Sequence, residues 1–181
     1  LALNPSSKGY WIHVLDRMGY LRAAIGKLKT KVAIEWAMDF LEGQPQNVKL
    51  AIYAHHKLVV AELVKALESW GALEISGKTK AKDRDSISTA FQSDQEHRVI
   101  VISAAGGVGI DLFGVGGIDA SNILVAELEW RSVDVQQIVG RLHRTGQKLP
   151  VTAWIFEALG TIDEYMVQRI VQKENLIAQV L

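Results

Sequence analysis

The sequence has no cysteine and only three prolines. Without cysteine there is no disulfide framework, no zinc ribbon and no thiol catalysis. It carries no excess of either charge, since 20 basic side chains meet 20 acidic ones for a formal net charge of zero. That balance excludes a uniformly basic nucleic-acid domain and leaves room for a few placed phosphate contacts. No apolar run approaches the roughly 18–20 residues of a membrane span, and Leu1 to Tyr10 lacks the basic-then-apolar layout of a signal peptide. These absences predict a soluble intracellular protein with no membrane partner. The chain also lacks a starting Met, which suggests a fragment or processed piece of a longer protein. What is present is 181 residues, 49% of them hydrophobic. That is enough for the core of one medium domain, and too apolar for a disordered chain.

Residues 1–29 read as the least regular part, with Asn4-Pro5-Ser6-Ser7 as a turn or loose terminus. Tyr10, Trp11, Ile12, Val14 and Leu15 are apolar enough to require a surface to pack on. We therefore expect an N-terminal segment over 1–29 and a folded unit over 30–181. From Thr30 the pattern alternates. Ala33, Trp36, Ala37, Phe40 and Leu41 fall at helical spacing, stopped by Gly43. Lys49 to Ala54 is a short apolar strand. Val60, Leu63, Val64, Leu67 and Trp70 mark a second helix, ended by Gly71, and Ala72 to Ser76 a short strand. Ile87, Ala90 and Phe91 suit a third helix. Strands are expected at Arg98–Ser103, Asn122–Glu127 and Val151–Phe156, with a helix from about Val133. Thr161 opens a final helix striped by Ile162, Met166, Ile170, Ile177 and Val180, and Thr161 with Glu164 has capping-box spacing. Short continuous apolar strands alternating with helices predict an α/β fold whose mostly parallel sheet is covered on both faces. Ligands then sit beyond the carboxyl ends of the strands, in the loops after Ala54, Ser76, Ser103, Glu127 and Phe156.

Four of those loops, and the segment Gln136 to Gln147, carry candidate chemistry. Gly77-Lys78-Thr79 looks like the end of a phosphate-binding P-loop, but five residues, 72 to 76, separate Gly71 from Gly77 where the motif needs four, and Gly71 serves better as a helix stop. A turn touching a phosphate backbone, or a plain surface turn, remains. Ser103 to Asp111 (SAAGGVGID) is small and glycine-rich, so either a phosphate or another backbone approaches closely; Asp111 suits a ribose hydroxyl or a neighbouring basic group. In Gln136 to Gln147 (QQIVGRLHRTGQ), Arg141 and Arg144 share a direction if helical, with Gly140 clearing space beside Arg141. Their forked donors match phosphate oxygens; a solvated basic face near a helix C-terminus is the other reading. His143 between them reads as structural. His55 and His56 are adjacent at a strand end and point to opposite faces, and with no cysteine or HExxH pattern no metal site is expected. Glu127, Glu129 and Asp134 read as a solvated rim rather than paired catalytic carboxylates.

Taken together, a glycine-rich segment ending Gly109-Ile110-Asp111 followed by Q-x-x-G-R-x-H-R-x-G-Q resembles motifs V and VI of superfamily-two helicases. The form His143 to Gln147 is similar to the Swi/Snf-type branch of DNA translocases. Lys49–His56 resembles motif IV, Gly77-Lys78-Thr79 with Arg84 the G-x-T…R segment, Asn122–Trp130 the strand before motif VI in the annealing-helicase relatives, and Gly160 to Glu164 the start of the closing helix. The resemblance covers roughly residues 20–181 and implies a three-layer RecA-like domain. It implies the second of two lobes, because the P-loop and the Mg-binding acidic box of the first lobe are not found. By the same resemblance, Arg144 is the arginine finger, Arg141 its companion, and Gln137, Gly109 and Asp111 belong to the ATP site. Ser103, Gly77, Lys78, Thr79 and His55 hold double-stranded DNA by its backbone. ATP and Mg²⁺ are held mainly by the first lobe, which is the expected partner. Thr145 stands where many members have isoleucine, and the large insertions of nucleosome remodellers are short or missing, which favours translocation or annealing. A binding module that kept the lobe fold without the enzyme is the alternative, and an RNA helicase lobe a third. The location expected is cytoplasmic for a prokaryotic or viral source and nuclear for a eukaryotic one.

Overall fold

A computed structural model describes residues 8–106, 109–129 and 132–180. The turn expected at Asn4–Ser7, and Gly107, Val108 and Trp130, lie outside the described residues. So do the side chains of Tyr10, Trp11, Ile12, Val14, Leu15, Ile177 and Val180.

The chain opens on α1, Lys8–Glu42. It continues through β1 (Val48–Tyr53), α2 (Lys57–Ala66), β2 (Leu73–Ile75), α3 (Ala81–Ser93) and β3 (Val99–Ile102). It ends with β4 (Asp119–Val125), α4 (Ser132–Val139), β5 (Thr152–Ile155) and α5 (Ile162–Val180). The five strands pair in the order β2-β3-β1-β4-β5, every pair parallel. Helices cover both faces, giving the α/β RecA-like architecture.

One expectation is corrected at once. Residues 8–29 are not irregular: α1 runs unbroken through the expected boundary at 29/30. No proline interrupts the chain between Pro5 and Pro45, so nothing there forbids a helix. Its periodicity was hidden because apolar residues lie on two faces. Ala33, Ala37 and Leu41 are fully buried against the sheet, whereas Tyr20, Leu21 and Leu28 are exposed.

Within the sheet, side chains alternate between two cores, as the two-residue period of a strand demands. Leu50, Ile52, Val99, Val101 and Leu124 point to the face covered by α1 and α2. Ala51, Tyr53, Ile100, Ile102, Ile123 and Val125 point to the face covered by α3, α4 and α5. Gly71 ends the second helical stretch in the left-handed region at φ +67°, and an added Cβ would lie 2.1 Å from the Glu96 carbonyl. The helix-stop reading of Gly71 is therefore the structural one. The edge strand β5 is exposed along its length, with Trp154 against Trp36 of α1 at 5.3 Å between ring centres. At the start of α5 the cap is shifted by one residue from the expected box. The Asp163 N–H donates to Thr161 Oγ1 at 3.2 Å, and Glu164 accepts from the Gly160 N–H at 3.0 Å.

Candidate functional site

The candidate residues gather where the parallel strands end. β1 and β4 are neighbours, with Tyr53 in register with Val125. Two residues further on, His55 therefore meets Glu127. The Glu127 Oε2 accepts from the backbone N–H groups of both His55 and His56 at 2.8 Å, and its Oε1 lies 2.6 Å from His56 Nδ1. Glu129 accepts a hydrogen bond from the Tyr53 hydroxyl and lies 2.8 Å from His55 Nδ1. Helix α1 closes the network from behind. Arg22 donates to the Leu128 carbonyl at 2.6 Å and sits 3.8 Å from Glu129. Lys29 pairs with Asp163 of α5 at 2.5 Å.

This overturns the reading of Glu127 and Glu129 as a solvated rim. They are 4% and 8% exposed, and α1 passes so close that a Cβ on Gly26 would stand 2.0 Å from Glu127 Oε1. Buried carboxylates are tolerated because each is met by several donors. Burial alone would raise the Glu129 carboxyl, but hydrogen bonds from His55 and Tyr53 more than offset it and hold it below its ordinary value. The Glu129 hydrogen bond in turn raises His55 above its ordinary value, against a smaller opposing effect of burial. Burial, then Glu129, pushes the Tyr53 phenol strongly upward, so it remains a neutral donor.

Beside this network lie the loops after β2 and β3. The Ser76 N–H donates to Thr79 Oγ1 and the Thr79 N–H to the Ser76 carbonyl, both at 3.0 Å. The Lys78 N–H reaches Ser76 Oγ at 3.3 Å. Arg84 braces the turn through the Thr79 carbonyl at 3.2 Å. The amides of Lys78 and Thr79 are thus spent inside the turn, while the Lys78 side chain stays exposed. Gly106 is needed for backbone approach, since its Cβ would fall 2.3 Å from the Ile75 carbonyl. That contact, with the Ser103 N–H on the same carbonyl at 3.1 Å, sets the Ser103 loop against the Gly77 turn.

The two motif-bearing segments are strapped together by the Leu112 N–H on the Arg141 carbonyl at 2.8 Å. Helix α4 ends at Val139, so Arg141 and Arg144 lie in the turns beyond it rather than on its face. They still converge. Arg144 Nε is 3.1 Å from Asp111 Oδ1. Arg141 is lowered first by partial burial and then by the like charge of Arg144, with Asp111 opposing. Leu142 between them is fully buried as an anchor. The Gln147 amide donates to the carbonyls of Ala120 at 3.2 Å and Leu142 at 3.4 Å, pinning the turn. His143, expected to be structural, is exposed. A Cβ on Gly140 would stand 3.0 Å from the Gln136 carbonyl of the preceding turn. Gly109 takes φ +76° in open space, a conformation suited to glycine.

A cavity of about 330 Å³ lies at the centre. It is lined by Tyr53, His55, Ser103, Glu129, Asp134, Gln137 and Arg141, with Ile102, Ala104 and Ile138. It brings together His55 and Ser103, expected on DNA, with Gln137 and Arg141, expected on ATP. Gly77, Lys78 and Thr79 flank it along the β2 side, and Gly109, Asp111 and Arg144 are not among its lining residues. Arg22 and Tyr53 are not singled out by the sequence, and the two glutamates are read from it as a rim. The available signal was a His-His pair after one strand and Glu-x-Glu after another, and it becomes readable only once those strands are known to be neighbours.

A family model, "Helicase conserved C-terminal domain", matches residues 33–146. The chain belongs to that family. Its relatives are of the SWI/SNF type. It is 31% identical over 185 residues, 98% of this chain, to the SWI/SNF-related matrix-associated actin-dependent regulator of chromatin subfamily A-like protein 1 of Xenopus tropicalis, and covers 19% of that protein. It is 31% identical over 150 residues, 82% of this chain, to the DNA repair and recombination protein RDH54 of Saccharomyces cerevisiae, and covers 15% of that protein. The chain thus spans about a fifth or less of these relatives. The fold is shared with the C-terminal part of the Fun30 ATPase domain, at TM-score 0.66 and 23% identity over 77% of this chain and 44% of that one. It is also shared with the helicase domain of Pyrococcus furiosus Hef, at TM-score 0.58 and 22% identity over 78% of this chain and 28% of that one.

Proposed function

We propose that this chain is the second, C-terminal lobe of an ATP-dependent translocase on double-stranded DNA. Arg144 is its arginine finger toward ATP carried by the first lobe. The observation that supports this most is the state of Arg144 itself. Asp111 engages its Nε from one side, while the side chain stays 47% exposed beyond the carboxyl ends of the strands, where ligands of such sheets bind. A guanidinium has five N–H donors in a fixed fork, so the pair with Asp111 aims the group without consuming it. A cation inserted at a transferring phosphoryl group stabilises the charge spread over its oxygens and contributes about 10³–10⁵ in rate. Arg141 adds a second cation from the cavity wall, and Gln137 a polar contact beside it.

Ser103, the Gly77–Thr79 turn and His55 are the backbone contacts to DNA. Contacts of this kind position a duplex without reading its sequence, which suits a motor that must pass any sequence. The first lobe is the partner in cis, and the exposed Tyr20, Leu21 and Leu28 of α1 are its docking surface. The names of the relatives, a chromatin regulator and a DNA repair protein, support DNA as the track and the nucleus as the location for a eukaryotic source. Mg²⁺ neutralises phosphate charge in such reactions. Among the described residues no three acidic, histidine or cysteine groups converge to hold an ion, so no step is assigned to it on this lobe.

A finger without the nucleotide pocket does nothing alone. The isolated chain is expected to show no DNA-stimulated ATP turnover above background, whereas the same chain joined to the lobe encoded upstream turns over. Turnover by the isolated chain, or an upstream region without a P-loop and acidic box, overturns the half-site reading.

A further inference from the structure

The polar chain from α1 to the cavity, Arg22–Glu129–His55, has no role in the reading above beyond placing His55 near DNA. Its geometry is directional. Glu129 lies 2.8 Å from one ring nitrogen of His55, Nδ1. The ring's other nitrogen, Nε2, belongs to a side chain that is 35% exposed and lines the same cavity as Ser103, Gln137 and Arg141. His56 is handled differently: its Nδ1 is bound by Glu127, whose other oxygen takes two backbone N–H groups.

We propose that His55 is a phosphate-binding group of this cavity and that Glu129 is its positioning residue, holding Nδ1 from behind so that Nε2–H faces the ligand, with Arg22 of α1 sharing the carboxylate. This rests on the helicase-lobe reading and adds to it a group whose charge is set within the lobe. A carboxylate on Nδ1 favours the imidazolium, in which both nitrogens donate, and Glu129 does raise His55 above its ordinary value. The charge balance gives that proton its effect. Around the ring stand Arg22 from α1, Glu129 and Glu127 from the segment after β4, Tyr53 from β1, Asp134 from α4 and Arg141 from the turns beyond it. Arg22 and Arg141 stand against Glu127, Glu129 and Asp134, which leaves the surroundings of the ring one unit negative. The proton on His55 cancels that negative charge and so removes the repulsion an anion would meet. The ligand is a phosphate, carried either by the DNA backbone or by the nucleotide.

The sign is fixed by linkage. The charged ring binds phosphate, so affinity is full below the His55 pKa and falls as pH rises through it. The test uses the intact two-lobed protein, with Kd for a blunt DNA duplex and KM for ATP each measured from pH 5.5 to 9. In the wild type one of the two is expected to weaken about tenfold across the His55 titration, the loss of one charge-assisted contact. A step in the duplex Kd assigns the phosphate to DNA, and a step in the KM for ATP assigns it to nucleotide. Glu129→Gln shifts that step to lower pH, toward the ordinary histidine value of about 6.5, and keeps the low-pH affinity. His55→Lys, a cation across the whole pH range, removes the step. A pH profile that is the same in wild type, Glu129→Gln and His55→Lys overturns the proposal. A protein that neither binds duplex nor hydrolyses ATP at any pH overturns the lobe reading instead.

Discussion

Arginine stands at both ends of this sheet and is used in opposite ways. At the amino end, Arg98 is 4% exposed. Its Nε donates to the Val48 carbonyl at 3.2 Å, and Nη2 to those of Leu41 and Pro45 at 3.1 and 3.0 Å. The guanidinium lies 5.0 Å from the Trp70 ring centre, and burial lowers its pKa. Its Nε and Nη2 donors are spent on carbonyls from the end of α1 to the start of β1. At the carboxyl end, Arg144 is half-exposed and its charge is met by one carboxylate from the side. Arg141 borders an open cavity with a like charge nearby. An arginine whose fork is filled by backbone carbonyls holds the fold. An arginine aimed but left with donors at the ligand end is equipped to act.

The sharpest way to break this comparison is Arg144→Ala in the intact protein. ATPase activity should fall by about 10³–10⁵, with duplex affinity changed little and the denaturation midpoint unmoved. Parallel loss of ATPase activity and duplex binding would make Arg144 a DNA contact. Arg98→Ala should show the reverse pattern. It leaves buried carbonyls without donors and so should cost about 3 kcal/mol in urea unfolding, while turnover per folded molecule is retained. A catalytic defect in Arg98→Ala at full folding would erase the distinction between the two ends.

Lys49 sharpens the same comparison by a smaller amount. It is fully buried at the amino end, 3.9 Å from Asp94, and its ammonium has no hydrogen-bond partner. Burial lowers its pKa to about 8, partly opposed by Asp94. A depressed lysine pKa means that the unfolded chain holds the proton more tightly. The charge therefore costs stability below pH 8, and the cost is relieved as pH rises from about 8 toward the ordinary value of about 10.4. Lys49→Met should raise stability by about 1–2 kcal/mol at pH 7 and remove that component of the pH dependence between 8 and 10. Calorimetry at pH 7 and 9.5 measures both; an unchanged pH slope would show that Lys49 is solvated in the native state.

Most of the fold was legible because its strands are short, apolar and β-branched, and because glycines mark where helices stop. Val99–Ile102 and the turn at Gly71 needed no tertiary information. Residues 8–29 were misread because α1 buries Lys29 and Thr30 and leaves Tyr20 and Leu28 outside, so that a single apolar stripe never forms. The motif residues were legible as a set, since small residues around Gly109 and a run such as Gly140 to Gln147 have few competing uses. Their geometry was not. Arg144 reaches Asp111 from the turns beyond α4 rather than from its face, and Gln147 pins those turns to the start of β4.

The sequence alone determined the alternation of helix and strand, and it determined the chemistry on offer: two arginines, a glycine-rich loop and no thiol. Both are local properties of spacing and residue type. Only the tertiary structure decided which carboxylates are buried and what they hold. That depends on β1 lying beside β4, a pairing across more than 70 residues, which brings His55 and His56 onto Glu127 and Glu129. It also depends on α1 crossing over them so closely that only Gly26 fits. Strand order and helix approach set those distances, and no stretch of sequence short enough to read as a motif contains them.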